Sequence, residues 1–166
     1  MSEKVVKLFI ASRCRDTTVY PNPNRFRVYL PSPIYRVSRI SLGNAVIPNI
    51  TLADPYPYVA IVTDLFTRGI AVPAEMQQYP AGTIGFVFND QPAVSFMMYA
   101  DEGNAATWQT ETAGVIARLQ EFEISLMAFG STTSPPVLYP LTAYAPGKFP
   151  EWCCTLKFTS VTADGP

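Results

Sequence analysis

The sequence predicts an all-β protein folded as a single domain, and three observations carry that prediction. Apolar and polar residues alternate with a period of two along most of the 166-residue chain. The sixteen prolines fall between the alternating runs, where they mark strand ends and connections, because proline has no amide to donate to a sheet ladder. Only GVIARLQEF (114–122) and VPAEMQQY (72–79) suggest a helical turn. Many short strands with proline and glycine turns point to a sandwich or a barrel.

Taken in order, the first strand is KVVKLFIA (4–11), with Val6, Leu8 and Ile10 opposite Val5, Lys7 and Phe9. RFRVYL (25–30) directs Phe26, Val28 and Leu30 to a core and Arg25, Arg27 and Tyr29 away from it. RVSRISLGNAVI (36–47) follows as a separate strand with Ile40, Leu42 and Val46 in phase. YVAIVT (58–63), TIGFVF (83–88), AVSFMMYA (93–100), FEISLMAF (122–129) and CCTLKFTSV (153–161) complete the strong set, and TRGIAV (67–72) and TWQTET (107–112) are weaker. Residues 130–151 form the longest irregular run, of the kind that is usually functional or ordered by a partner.

Composition narrows the functions available. Charged residues make up 15% of the chain, against about 25% on average, so part of the surface is expected to be hidden against partners. The charge is also unevenly placed. Residues 1–39 carry eight basic and two acidic residues, a formal +6, whereas residues 40–166 carry four basic and eleven acidic ones, a formal −7. The basic part could meet nucleic acid or the acidic side of another copy, or both parts could interleave and cancel within one fold. No apolar run approaches the ~18 residues of a membrane span, and the first ten residues lack the pattern of a signal peptide. The protein is therefore expected to stay where it is made. Cys14 and the adjacent Cys153 and Cys154 read as reduced, structural thiols.

The chain has no histidine. That removes imidazole-held metals and every nucleophile that depends on a histidine base. Glu121 and Glu123 share one face of a strand, but Phe122, Ile124 and Leu126 claim the buried face, so the acids read as solvated charges. No phosphate-cradling glycine loop is present. No catalytic residue, cofactor or metal site is expected. Tyr56, Tyr58, Tyr139 and Tyr144 are candidates for a glycan- or receptor-binding surface.

The stretch SRCRDTTVYPNPNRFRVYL (12–30) concentrates what is distinctive. Arg13, Arg15 and Asp16 form the charged exit of the first strand, and Asp16 is placed to bond amides ahead of it. In Tyr20-Pro21-Asn22-Pro23-Asn24, each proline holds the residue before it extended. The connector is thus stiff and aims Arg25 and Arg27 on the strand behind it.

This order of a strand, S-R-x-R-D, a short gap, Y-P-N-P-N-x-F and an alternating strand resembles the N-terminus of single jelly-roll penton and minor capsid proteins. Those belong to large double-stranded DNA viruses of eukaryotes and to virophages. RVSRISLGNAVIPN (36–49) is similar to the strand that follows in that family, and RLQEFEISLMAFGS and WCCTLKFTSV are similar to its ending. The resemblance implies a single jelly-roll β-sandwich of two packed antiparallel sheets and about eight strands. It implies a virion structural protein that forms a homo-pentamer at the icosahedral vertex and meets neighbouring major capsid proteins, with minor capsid or spike proteins as further partners. Arg13, Arg15, Asp16, Tyr20, Pro21, Asn22, Arg25 and Arg27 then become candidates for the subunit interface or for shaping the motif. The alternatives are a minor capsid or cement protein of the same virion class, a glycan- or receptor-binding jelly roll, and contact of the basic segment with packaged nucleic acid.

Overall fold

A computed structural model describes residues 2–48, 58–65, 83–88, 96–99, 109–129, 137–139 and 151–162. Among these the protein is all-β, with no α-helix and one short 3-10 turn, Ser12–Cys14. The strands are β1 (Ser2–Ala11), β2 (Arg25–Pro48), β3 (Tyr58–Thr63), β4 (Thr83–Phe88), β5 (Phe96–Tyr99), β6 (Gln109–Phe129), β7 (Val137–Leu138) and β8 (Cys153–Thr162). They join in one antiparallel network ordered β1-β8-β2-β6-β3-β4, with β5 added to β2 and β7 to β6.

The two long strands organise this network. Arg25–Tyr29 of β2 pair with Glu121–Ser125 of β6, and Ile34–Ser41 pair with Leu119–Gln109. β8 joins β2 only at Val37–Val46, whereas β3 joins β6 only at Ile124–Phe129. Six of the eight strands therefore fall into two blocks of four that share β2 and β6, with β5 and β7 outside them. One runs β1, β8, late β2, early β6; the other runs early β2, late β6, β3, β4. Buried residues of both blocks belong to one cluster that includes Ile10, Ile40, Leu42, Leu156 and Phe158 with Phe26, Ile61, Ile84, Phe122 and Leu126. Phe122 of one block and Phe158 of the other lie with ring centroids 5.9 Å apart.

Three features differ from the sequence-based expectation, each for an identifiable reason. The runs 25–30 and 36–47 belong to one strand, not two. Pro31 and Pro33 do not end it; they lie where its pairing register breaks, between Tyr29 and Ile34. Gln120 Nε2 donates to the Leu30 carbonyl there, at 2.9 Å, which supplies a bond that the broken ladder lacks.

GVIARLQEF is not helical but lies within β6. Leu119 and Phe122 are both buried, and their spacing of three comes from a phase change where β6 passes from one block to the other. The third difference is in the late part of β2. Ile40 and Leu42 are buried as expected, but Ala45 and Ile47, not Val46, continue the buried face. A register shift between Leu42 and Ala45 inserts the extra residue that moves the phase by one. Gly43 sits in this bulge, where a Cβ would stand 3.0 Å from the Thr155 carbonyl oxygen.

VPAEMQQY and TRGIAV lie outside the described residues, as does most of 130–151. No helix among the described residues is long and apolar enough to cross a membrane.

Candidate functional site

β1 delivers the chain to the arginine turn at Ala11. Ser12 then docks against the start of β8: its amide donates to the Trp152 carbonyl at 2.9 Å, and its hydroxyl accepts from the Trp152 amide at 2.8 Å. The same hydroxyl donates to the Glu151 carboxylate.

Arg15 is the centre of the turn. Its side chain is only 5% exposed. Nε donates to the Tyr20 carbonyl at 2.8 Å, Nη1 to the Ser12 carbonyl at 2.9 Å, and Nη2 to the Pro21 carbonyl at 3.0 Å. Nη1 also meets both oxygens of Glu151, at 3.0 and 2.9 Å. One planar guanidinium thus ties both ends of the 12–21 segment to Glu151, two residues ahead of β8. Asp16 works beside it, its Oδ1 accepting from the Thr18 amide at 3.0 Å and its carbonyl from the Tyr20 amide at 2.8 Å.

The proline connector is fastened at its far end. Pro21 and Asn22 are exposed, but Pro23 is buried and its carbonyl accepts from Trp152 Nε1 at 2.6 Å. The Trp152 ring packs on Phe26, with centroids 5.7 Å apart. Asn24 donates through Nδ2 to the Tyr139 carbonyl, and its own carbonyl accepts from the Leu126 amide, each at 2.9 Å.

Arg25 and Arg27 lie on the outward face of β2 and meet carboxylates diagonally across the ladder on β6. Arg25 Nε lies 2.7 Å from Glu123 Oε1, with the arginine side chain 55% exposed. Arg27 lies 3.4 Å from Glu121 and 3.8 Å from Asp64. Asp64 in turn accepts the Glu123 amide at 2.9 Å. The hydrogen bond and the charge of Glu123 push the Arg25 guanidinium above its ordinary value. For Arg27, partial burial acts downward and is outweighed by the Glu121 charge, a bond with Tyr20 and the Asp64 charge. Both stay cationic at any working pH.

Three arginines of the basic segment, 15, 25 and 27, are therefore paired with acids of the later segment inside one chain. Arg13 differs. It is exposed and has no hydrogen bond or ion pair among the described residues.

The structure thus brings Arg15, Asp16, Tyr20 and Pro21 into one knot, sets Arg25 and Arg27 in a second row, and leaves Arg13 and Asn22 outside both. Ser12, Glu151 and Trp152 were not singled out from the sequence. The acid-aromatic pair just ahead of the last strand was their one visible signal, and nothing local showed that it faces residue 12.

Beside the knot lies a groove of about 700 Å³. Leu8–Ala11 of β1 form one wall and Phe26–Tyr29 of β2 the other, while Arg13, Cys14, Arg15 and Asp16 close one end. Phe9 and Tyr29 are each 66% exposed.

Among the other candidates, Tyr139 is 2% exposed and buried in the core, so its ring is not available to a glycan. Tyr56 and Tyr144 lie outside the described residues, and the Tyr58 side chain does too. Cys14 is exposed, Cys153 half-buried and Cys154 buried, and burial pushes the Cys154 thiol far up. No group of three His, Cys, Asp or Glu residues among those described could hold a metal ion. No protein-family model matches the chain, and no curated protein matches it.

Proposed function

We propose that this protein is a virion building block: a single jelly roll whose copies close a ring of five at the vertices of an icosahedral shell. The observation that carries the reading is the path of β2 and β6 through two four-stranded blocks, β1-β8-β2-β6 and β2-β6-β3-β4. The pairing of β1 with β8, and the use of both long strands in both blocks, support the reading as a double-sheet jelly roll. The buried cluster shared by the two blocks supports their packing face to face.

The arginine turn supports the same reading from its sequence, which resembles the penton motif. Its shape is fixed by the Arg15 and Trp152 bonds. Within the ring, Arg25 and Arg27 have a double use: their carboxylate partners hold them upright on the strand, and the exposed part of Arg25 remains for a neighbour. Head-to-tail contacts of this kind place unlike faces of the same chain together.

Imaging of assembled particles tests the proposal. Density for this chain is expected at fivefold positions, and its presence only elsewhere rejects the vertex assignment. The arginine row is tested separately by counting subunits in native mass spectra. Reversal of Arg25 and Arg27 to glutamate is expected to abolish the five-copy species. Adding Glu121→Arg and Glu123→Arg restores the pairs within the chain. If the ring then returns, the row serves only the subunit's own fold; if it stays lost, the arginines meet a neighbour.

A further inference from the structure

We infer that the groove between β1 and early β2 is a docking site for an extended peptide of a partner protein, one with apolar residues at alternate positions and a carboxylate at the end that meets Arg13. Among the described residues, β1 pairs only with β8, so its other edge is open. Among the described residues, 25–29 of β2 pair only with β6, which leaves their second edge without a partner there as well. Both open edges bound the same groove. Unpaired strand edges present a row of amides and carbonyls that pairs readily with an added strand, and addition to a sheet edge is a general mode of peptide recognition.

The lining sets the chemistry of the occupant. Ile10 and Phe26, both buried, belong to the walls, and Phe9 and Tyr29 stand exposed where each wall meets solvent. Two large aromatic side chains on facing walls give alternate apolar side chains a surface to cover.

The charges that line the groove are not equivalent. Arg15 is spent on the knot, Asp16 holds the Thr18 amide, and Arg27 is engaged by Glu121 and Asp64. Arg13 alone among them has no partner among the described residues. A carboxylate on the peptide completes it by a charge-assisted bond. The groove takes such a peptide whether or not the chain forms rings, so its test uses the isolated chain.

The probe is a labelled eight-residue peptide of alternating valine and threonine with aspartate at both ends, together with a twin carrying lysine in place of aspartate. Fluorescence anisotropy is expected to show saturable binding of the aspartate peptide and at least tenfold weaker binding of the lysine twin. Arg13→Glu is expected to reverse that preference, and Phe9→Asp to abolish binding of both. Because Arg13 and Phe9 are exposed, neither change threatens the fold. Hydrogen exchange should slow at residues 2–11 and 25–30 when the aspartate peptide is added. Failure of that peptide to bind at millimolar concentration overturns the inference. So does an Arg13→Glu variant with unchanged preference, protection confined to other strands, or a groove filled by a second copy, seen as self-association that Phe9→Asp removes.

Discussion

Arg15 and Arg13 stand two residues apart and have opposite fates. Arg15 loses almost all its contact with water and recovers it through carbonyls and one carboxylate. Its replacement by alanine strands three carbonyls and Glu151, so a loss of about 3 kcal/mol is expected in urea unfolding. Arg13→Ala should change stability by no more than about 0.5 kcal/mol, since an exposed side chain with no partner among the described residues has little to lose. Equal effects of the two substitutions would remove Arg15 from the centre of the turn. Cys154 carries a pH dependence. Its thiol is held above its ordinary value of 9.0 by burial and by its neighbour Cys153. As pH rises past that value, the unfolded chain releases the proton and the folded chain keeps it, so the folded state binds more protons and stability falls. The slope is about 1.4 kcal/mol per pH unit. Stability is thus full below pH 9 and declines above it, and Cys154→Ala should flatten that decline in urea midpoints taken at pH 7 and pH 10. In the native protein a thiol reagent should modify Cys14 readily and leave Cys154 untouched until unfolding.

Strand bulges do what no two-residue period can announce. The inward set Phe26, Leu30, Ile40 and Leu42 was legible because each lies on a stretch of unbroken alternation, and the outward Glu121 and Glu123 were legible for the same reason. Legibility ended at the bulges. The period runs straight past Gly43 and selects Val46, whereas the extra residue there buries Ala45 and Ile47. At the crossing in β6, the same kind of slip gave Leu119 and Phe122 a helical spacing. The knot was half legible: Asp16 and the prolines advertise a fixed turn by local chemistry, but Ser12 and Glu151 are 139 residues apart in the chain, and only the pairing of β1 with β8 brings them together. Gly43→Ala tests the bulge itself. The added methyl would press on the Thr155 backbone, and a loss of about 1–3 kcal/mol is expected. An unchanged unfolding midpoint would show that β2 yields there.

The two blocks are joined through the continuous strands β2 and β6 and one buried cluster, so they are expected to unfold as a single cooperative unit. Trp152 fluorescence and far-ultraviolet circular dichroism should therefore report one coincident unfolding transition, whereas two separated transitions would mean that the blocks melt independently. The distribution of charge makes sense for the molecule as a unit too. A basic beginning and an acidic remainder cancel in part through pairs at Arg15, Arg25 and Arg27 within one chain. The pairing of Ser2 with Thr162 has a consequence for how the protein is made. On the ribosome, β1 emerges long before β8, the strand that will hold it. The β1 edge must therefore wait for β8 to be made, so a chain stopped before residue 153 lacks the partner that holds its first strand.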